Sequence, residues 1–178
     1  MPKQFEFQPD KALAVTAYLA DQSGATMYTI LKMVYLADRC HLERYGRPIT
    51  GDFFIAMRQG ACPSLIYDSM KYLRGEKNRK NHLPDAEKYL AVDPESFEVS
   101  VLDNPSVDVL SASDIECMDE ILSILRRNGR KVIWKLAHDG AWEATAPNKE
   151  MDWLEIARNL GDGELVVRHL EDRFPGAA

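Results

Sequence analysis

The run from Thr26 to Tyr45, TMYTILKMVYLADRCHLERY, closed by Gly46, limits what this chain can fold into more than any other stretch. Met27, Ile30, Leu31, Val34, Tyr35 and Leu42 recur at helical spacing, which predicts a helix with one apolar face buried against other elements. Asp38 falls inside that face, between Val34 and Leu42, with His41 and Tyr45 on the neighbouring turn; Arg39 and Glu43 point away. A charge in an apolar stripe is costly unless it is paired. Asp38 therefore demands donors: backbone N–H groups, a Thr or Tyr hydroxyl, or a cationic side chain.

The rest of the chain alternates helical patterns with turns. A first helix is predicted from Pro9 to the stop at Gly24, apolar nearly all round and hence inside a bundle. In GRPITGDFFIAMRQGACPS, turn residues frame the short run FFIAM, which reads as a strand or hairpin. Pro63 and Ser64 open a third helix that carries Leu65, Ile66, Met70 and Leu73 and ends near Gly75; the polar GEKNRKNHLPDAE reads as a surface loop. EKYLAV and FEVSVLD, parted by Asp93 to Ser96, predict a hairpin with an exposed edge. Ser113 and Glu116 match the S-x-x-E capping box ahead of an amphipathic helix through Ile115, Met118, Ile121, Leu122 and Leu125. Further helices are expected at RKVIWKLAH, DWLEIARNL and GELVVRHLEDRF, with AWEATAPNKE irregular. The sum is a mainly α, single-domain helical bundle with a small β-hairpin or sheet element.

Length and composition agree. A chain of 178 residues, 46% apolar and 28% charged, can bury one core without disulfides or metals. No window approaches the roughly 18 apolar residues of a membrane span, and MPKQFEFQPDK lacks a secretory leader, so a cytoplasmic protein is expected. Cys40, Cys62 and Cys117 are odd in number, far apart and without a C-x-x-C pair, and read as three reduced thiols. A net charge of −6 works against a protein whose main task is gripping phosphate backbone, and suits a basic partner instead.

Little in the sequence points to catalysis. Asp38 and His41 stand at i and i+3, and with His138 they make a candidate metal-ligand set for a hydrolase. The reading preferred here is a hydrogen-bonded buried Asp beside a packed histidine. No nucleophile elbow occurs, Cys40 and Cys117 read as packing residues, and Gly46, Gly51 and Gly60 read as turn glycines rather than a phosphate loop. The basic clusters Lys77, Arg79, Lys80 and Arg126, Arg127, Arg130, Lys131 read as solvated charge or helix-dipole compensation, and the tail PGAA as a frayed end. No catalytic residue, metal or cofactor is expected.

The segment YLADRCHLERYGRPITGDFFIAMRQGACPSLIYDSM resembles the core signature of the Panacea domain, the SocA-like antitoxin domain. The resemblance rests on Tyr35, Leu36, Ala37, Asp38, His41 and Tyr45, then Gly46, Pro48, Ile49, Thr50 and Gly51, then Phe53, Phe54, Gly60, Pro63 and Tyr67. A second block, WKLAHDGAWEAT, is similar to the family at His138 and Trp142; together the blocks span residues 13–148. At QGACPS the family's Gly-Pro is replaced by Gly60 and Ala61, with the proline displaced to Pro63. The resemblance implies a domain over residues 1–150, with 151–178 as a helical extension packed on it. It also implies an antitoxin, including of phage-borne systems, that neutralises a toxin encoded by the adjacent gene, by direct binding or by delivery to an ATP-dependent protease. Its motif residues would fix the local fold or touch the toxin. The contact candidates are the strand from Phe53 to Met57 and the hairpin from Glu87 to Asp103, provided their apolar side chains are exposed. Against this stand two other readings. One is a DNA-binding regulator of its own operon, or a phage-associated regulatory protein, with a helix-turn-helix-like pair in residues 26–75. The other is the metal-assisted hydrolase.

Overall fold

In the computed structural model, which describes residues 5–174, helix α1 (Pro9–Ser23) has proline in its first turn and ends at Gly24, whose N–H reaches the Ala20 carbonyl. Helix α2 (Met27–Tyr45) follows and likewise ends at a left-handed glycine, Gly46 (φ 70°). Both stops fall where the sequence placed them.

What differs is how much of α2 is covered. Lys32, Met33, Leu36 and Ala37 are buried along with the predicted apolar face, because α2 is the central helix. It packs against α1 on one side and, on others, against α5 (Ala112–Asn128), α6 (Arg130–Leu136) and α8 (Trp153–Arg158). Arg39 and Glu43 do point away from Asp38, yet each meets protein: Arg39 contacts Asp139, and Glu43 accepts a hydrogen bond from the Gly161 N–H at 2.7 Å.

Strands β1 (Phe54–Met57) and β2 (Gly60–Pro63) form a tight antiparallel hairpin in which Phe54 pairs with Pro63 and Met57 with Gly60. The other edge of β1 is also occupied. Ala56 N–H donates to the Lys149 carbonyl at 2.9 Å and Met151 N–H to the Phe54 carbonyl at 2.7 Å. Phe54 sits at the centre of the core, 4.9 Å from the Tyr35 ring and 5.4 Å from the Trp153 ring. Helix α3 (Ser64–Leu73) leads through the polar loop to a single turn, α4 (Ala86–Tyr89), and the second predicted hairpin is β3 (Leu90–Val92) with β4 (Val99–Val101). Its inner residues Leu90, Val92 and Val99 are buried. A 3-10 turn, Val107–Val109, connects it to α5.

Two local readings are corrected. The capping box of α5 is formed by Ser111 and Asp114, not Ser113 and Glu116: Ser111 Oγ accepts from the Asp114 N–H, and the Asp114 carboxylate accepts from the Ser111 N–H. An Asp at the third helical position closes the box as a Glu does, and Ser113 instead faces His41. The stretch after Gly140 is not wholly irregular; it begins with a short helix, α7 (Gly140–Ala144), capped by Asp139. Helix α9 (Gly163–Arg173) closes the described chain, and Met151, Leu154, Ile156, Val166 and Leu170 join the same core as α1 and α2. The tail PGAA, residues 175–178, lies outside the described residues.

Candidate functional site

The donors that Asp38 requires come from the turn just past α2. Asp38 Oδ1 accepts from the N–H groups of Ile49 and Thr50, each at 2.9 Å, and Oδ2 accepts from the Thr50 hydroxyl at 2.5 Å. Burial pushes the Asp38 carboxyl up to about 6, against the pull of the Thr50 and Ile49 donors and of nearby His41. One carboxylate thus folds the motif turn back onto the helix that precedes it. The turn then passes on the connection: the Thr50 hydroxyl accepts from the Asp52 N–H, and Asp52, also fully buried, accepts from Leu65 and Ile66 N–H at 3.1 and 3.0 Å. Asp52 therefore caps the start of α3 from outside the helix. Burial pushes its carboxyl up to about 7, with the Ile66 and Leu65 N–H groups opposing and Asp38 adding to the rise. Gly51 sits between the two acids at φ 65°, where a Cβ would run into the Glu6 carbonyl.

His41 is fully buried and serves a second junction. Its Nδ1 donates to the Arg47 carbonyl at 2.7 Å, and its Nε2 lies 3.0 Å from Ser113 Oγ and 3.1 Å from Asp114 Oδ1. Asp114 also accepts from Lys11 Nζ at 2.6 Å, and Arg47 approaches it at 3.6 Å. Burial alone would raise the Asp114 carboxyl; the neighbouring His41 and the bonds from Lys11 and Ser111 outweigh it and hold it well below the usual carboxylate range. The cluster fastens α2, α5 and α1 together. Tyr45, 45% exposed, donates to Glu116 and stacks on the His41 ring.

The second motif block meets the first at the β1–β2 hairpin. Tyr35 hydroxyl donates to Asp139 Oδ2 at 2.7 Å, Arg39 pairs with the same oxygen at 2.8 Å, and Asp139 Oδ1 accepts from the Trp142 N–H at 2.9 Å. Trp142 Nε1 in turn donates to the Met57 carbonyl at 2.8 Å. His138 Nδ1 donates to the Trp134 carbonyl at 2.7 Å, and its ring stands edge-on to Trp142. Gly60 (φ 95°) packs beneath: a Cβ there would meet the Ala137 carbonyl at 2.9 Å and the His138 ring at 3.0 Å. From the other side the buried Lys32 donates to the carbonyls of Gly60 and Ala61 at 3.0 and 2.8 Å, and burial lowers its pKa.

The remaining motif positions lie along the same elements. Gly46 ends α2 against His169, Pro48 is buried in the turn, Pro63 ends β2 at the entrance to α3, and Tyr67 is half-buried beside Tyr28 and Lys71. The hydrolase set is not assembled. Asp38 faces the Ile49–Thr50 turn, His41 faces Asp114, and His138 lies at the β1–β2 turn. Among the described residues no group of three or more His, Cys, Asp or Glu side chains is placed to hold a metal ion. Nor is β1 a free contact strand: Phe54 and Ala56 are buried and both edges are bonded.

Four charged residues that the sequence reading passed over do much of the joining: Lys32, Asp52, Asp114 and Asp139. Asp114 and Asp139 carry a local signal, since each lies at a helix start with a capping pattern. Lys32 and Asp52 carry none, because their partners lie 28 and 13 positions on.

The two blocks thus interlock through Tyr35–Asp139 and Trp142–Met57, and no helix among the described residues is long and apolar enough to cross a membrane. Comparison with curated proteins finds no match, and neither does comparison with solved structures. The family model for the antitoxin SocA-like Panacea domain matches residues 30–143, a span that holds Asp38, the motif turn, the hairpin and Trp142, and the chain belongs to that family.

Proposed function

We propose that this protein is the antitoxin of a two-gene system, acting in the cytoplasm and without catalysis, and that it occludes a toxin encoded by the adjacent gene through direct contact. The observation that carries the reading is the inward direction of the motif's polar groups. Asp38, His41 and Asp139, which would supply chemistry in an enzyme, are held by internal partners and fix the scaffold. What the fold offers outward is surface. Leu102, Val107 and Val109, at 59%, 54% and 37% exposure, follow directly on β4 and form the contact segment of this proposal. It continues the hairpin rather than using its buried face. The domain is taken as residues 1–150, with 151–178 as an extension packed on it; the burial of Trp153, Ile156 and Leu170 supports that packing.

The test is co-expression. The neighbouring gene is expected to arrest growth alone, and this chain to restore growth and co-purify with its product. A harmless neighbour, or rescue without physical association, overturns the proposal. Toxin half-life separates the routes: unchanged under occlusion, shortened under delivery to an ATP-dependent protease. The regulator reading gains no support from residues 26–75. There α2 is largely buried, Lys32 points into the hairpin, Arg44 pairs with Glu116 and Glu120, and Lys71 pairs with Asp68.

A further inference from the structure

The cysteines, far apart in sequence, are not all apart in space. Cys40 on α2 and Cys117 on α5 are 77 positions apart, yet their sulfurs stand 2.9 Å from each other and share an S–H···S hydrogen bond. Both are free thiols. A disulfide is about 2.05 Å long, so less than about 1 Å of sulfur movement separates the pair from a covalent bond.

The partners are unequal in a way that suits oxidation. Cys117 is fully buried, whereas Cys40 is only partly covered and lies within reach of a small solute. The hydrogen bond with Cys117, and then the Arg44 guanidinium one turn along α2, hold the Cys40 thiol below its usual value. Burial and the Glu120 and Glu43 carboxylates oppose them. Cys117 is pushed the other way by the same hydrogen bond and by burial. An accessible, more acidic thiol backed by a buried one divides the work into an attacking and a resolving sulfur. Cys62, on β2, provides the contrast: it is buried, burial pushes its thiol up to about 12, and it has no cysteine partner among the described residues.

We propose that Cys40 and Cys117 are a reversible redox couple, which a peroxide converts into a disulfide joining α2 to α5. The Cys40 thiolate attacks one peroxide oxygen, the O–O bond breaks, and the departing hydroxide takes a proton to leave as water, giving a sulfenic acid on Cys40. The Cys117 sulfur then attacks the Cys40 sulfur. The S–O bond breaks, a second water carries off the hydroxyl and the Cys117 proton, and the S–S bond forms. Two thiols and one peroxide become one disulfide and two waters; the sulfurs lose two electrons and the peroxide gains them. A dithiol reductant reverses the bond by exchange.

The bond would cross the same seam that His41, Ser113 and Asp114 hold, and would enclose the motif turn and both hairpins in one covalent loop. The test uses the full chain and hydrogen peroxide as the probe. Intact mass is expected to fall by about 2 Da, digestion to yield a Cys40–Cys117 linked peptide with Cys62 still alkylatable, and dithiothreitol to restore the starting mass. In Cys117→Ala, Cys40 loses its resolving partner and is expected to gain about 16 or 32 Da instead. The wild-type result stands by itself if that variant does not fold. Oxygen addition to the wild type without a crosslink, a crosslink through Cys62, or no change of mass overturns the proposal.

Discussion

Tyr35 and Asp139 lie 104 positions apart and are joined by a 2.7 Å hydrogen bond from the phenol to the carboxylate. The same carboxylate takes the Arg39 guanidinium and caps α7, so it is shared by three groups and the phenol by one. Tyr35→Phe is therefore expected to cost about 1 kcal/mol, and Asp139→Ala about 3 kcal/mol, since the latter strands Arg39 and the Trp142 N–H as well. Urea melts of the two variants check the ordering.

Asp38→Ala removes the carboxylate that holds the motif turn to α2. With two N–H groups and the Thr50 hydroxyl left unpaired in a fully buried site, a loss of about 3–4 kcal/mol is expected. Thr50→Val should cost about 1–2 kcal/mol, and the double variant less than the sum, because both remove the same bond. A melting temperature unchanged in Asp38→Ala, with toxin rescue lost, would move Asp38 from the scaffold to the contact surface.

Asp38 and Asp52 have carboxyls raised from 3.8 to about 6 and about 7. A group whose folded pKa is raised stabilises fully below its unfolded value and loses that contribution as pH climbs through the folded value. Asp114, held low, acts in the opposite sense: its contribution is present above the unfolded value and fades in strong acid. Melting temperature is thus expected to be highest near pH 4, close to the unfolded carboxyl value, and to fall by several degrees toward pH 7, with Asp52→Asn flattening that fall. Scanning calorimetry at about pH 4, 5.5 and 7 measures it.

The hairpin is pinned from both sides, by Lys32 below and by Ala137 and His138 above. Lys32→Met, similar in length but without donors, removes both bonds to the Gly60 and Ala61 carbonyls and is expected to cost about 2–3 kcal/mol. Gly60→Ala meets both a positive φ and the Ala137 carbonyl, and should cost a similar amount. Chemical denaturation of each variant reads the loss directly.

Leu102→Asp and Val107→Asp change side chains that are more than half exposed, so folding stability should move by less than about 0.5 kcal/mol. Co-purification with the toxin is expected to drop at least tenfold. Full retention of binding by the double variant would place the contact elsewhere on the molecule.

The sequence was most readable where one residue dictates a local geometry. Gly24 and Gly46 end α1 and α2 where predicted, and Asp93 to Ser96 turn the β3–β4 hairpin, because each acts on its own few neighbours. The inward role of Asp38 was legible for the same reason: helical spacing alone puts it on a buried face, and burial alone requires donors. Which donors was not. Ile49 and Thr50 are found only once the turn folds back, and the pairing of Cys40 with Cys117 depends on the packing of α2 on α5. Arg39 and Glu43 looked outward by spacing because periodicity describes one helix and cannot see a layer added by α7 and α8. The displaced proline, Pro63, closes β2, and Asp52 caps the helix beyond it.

Residues 148–151 lie past the family span that ends at 143, yet their backbone completes the ladder on the outer side of β1. Cutting a gene fragment to the recognised span would bare that strand and uncover Phe54 by removing Trp153, turning a bonded edge of β1 into an adhesive rim. For partner screens and crystallisation alike, the useful boundary is set by the last hydrogen bond to β1 and the aromatic lid over it, not by where family likeness fades.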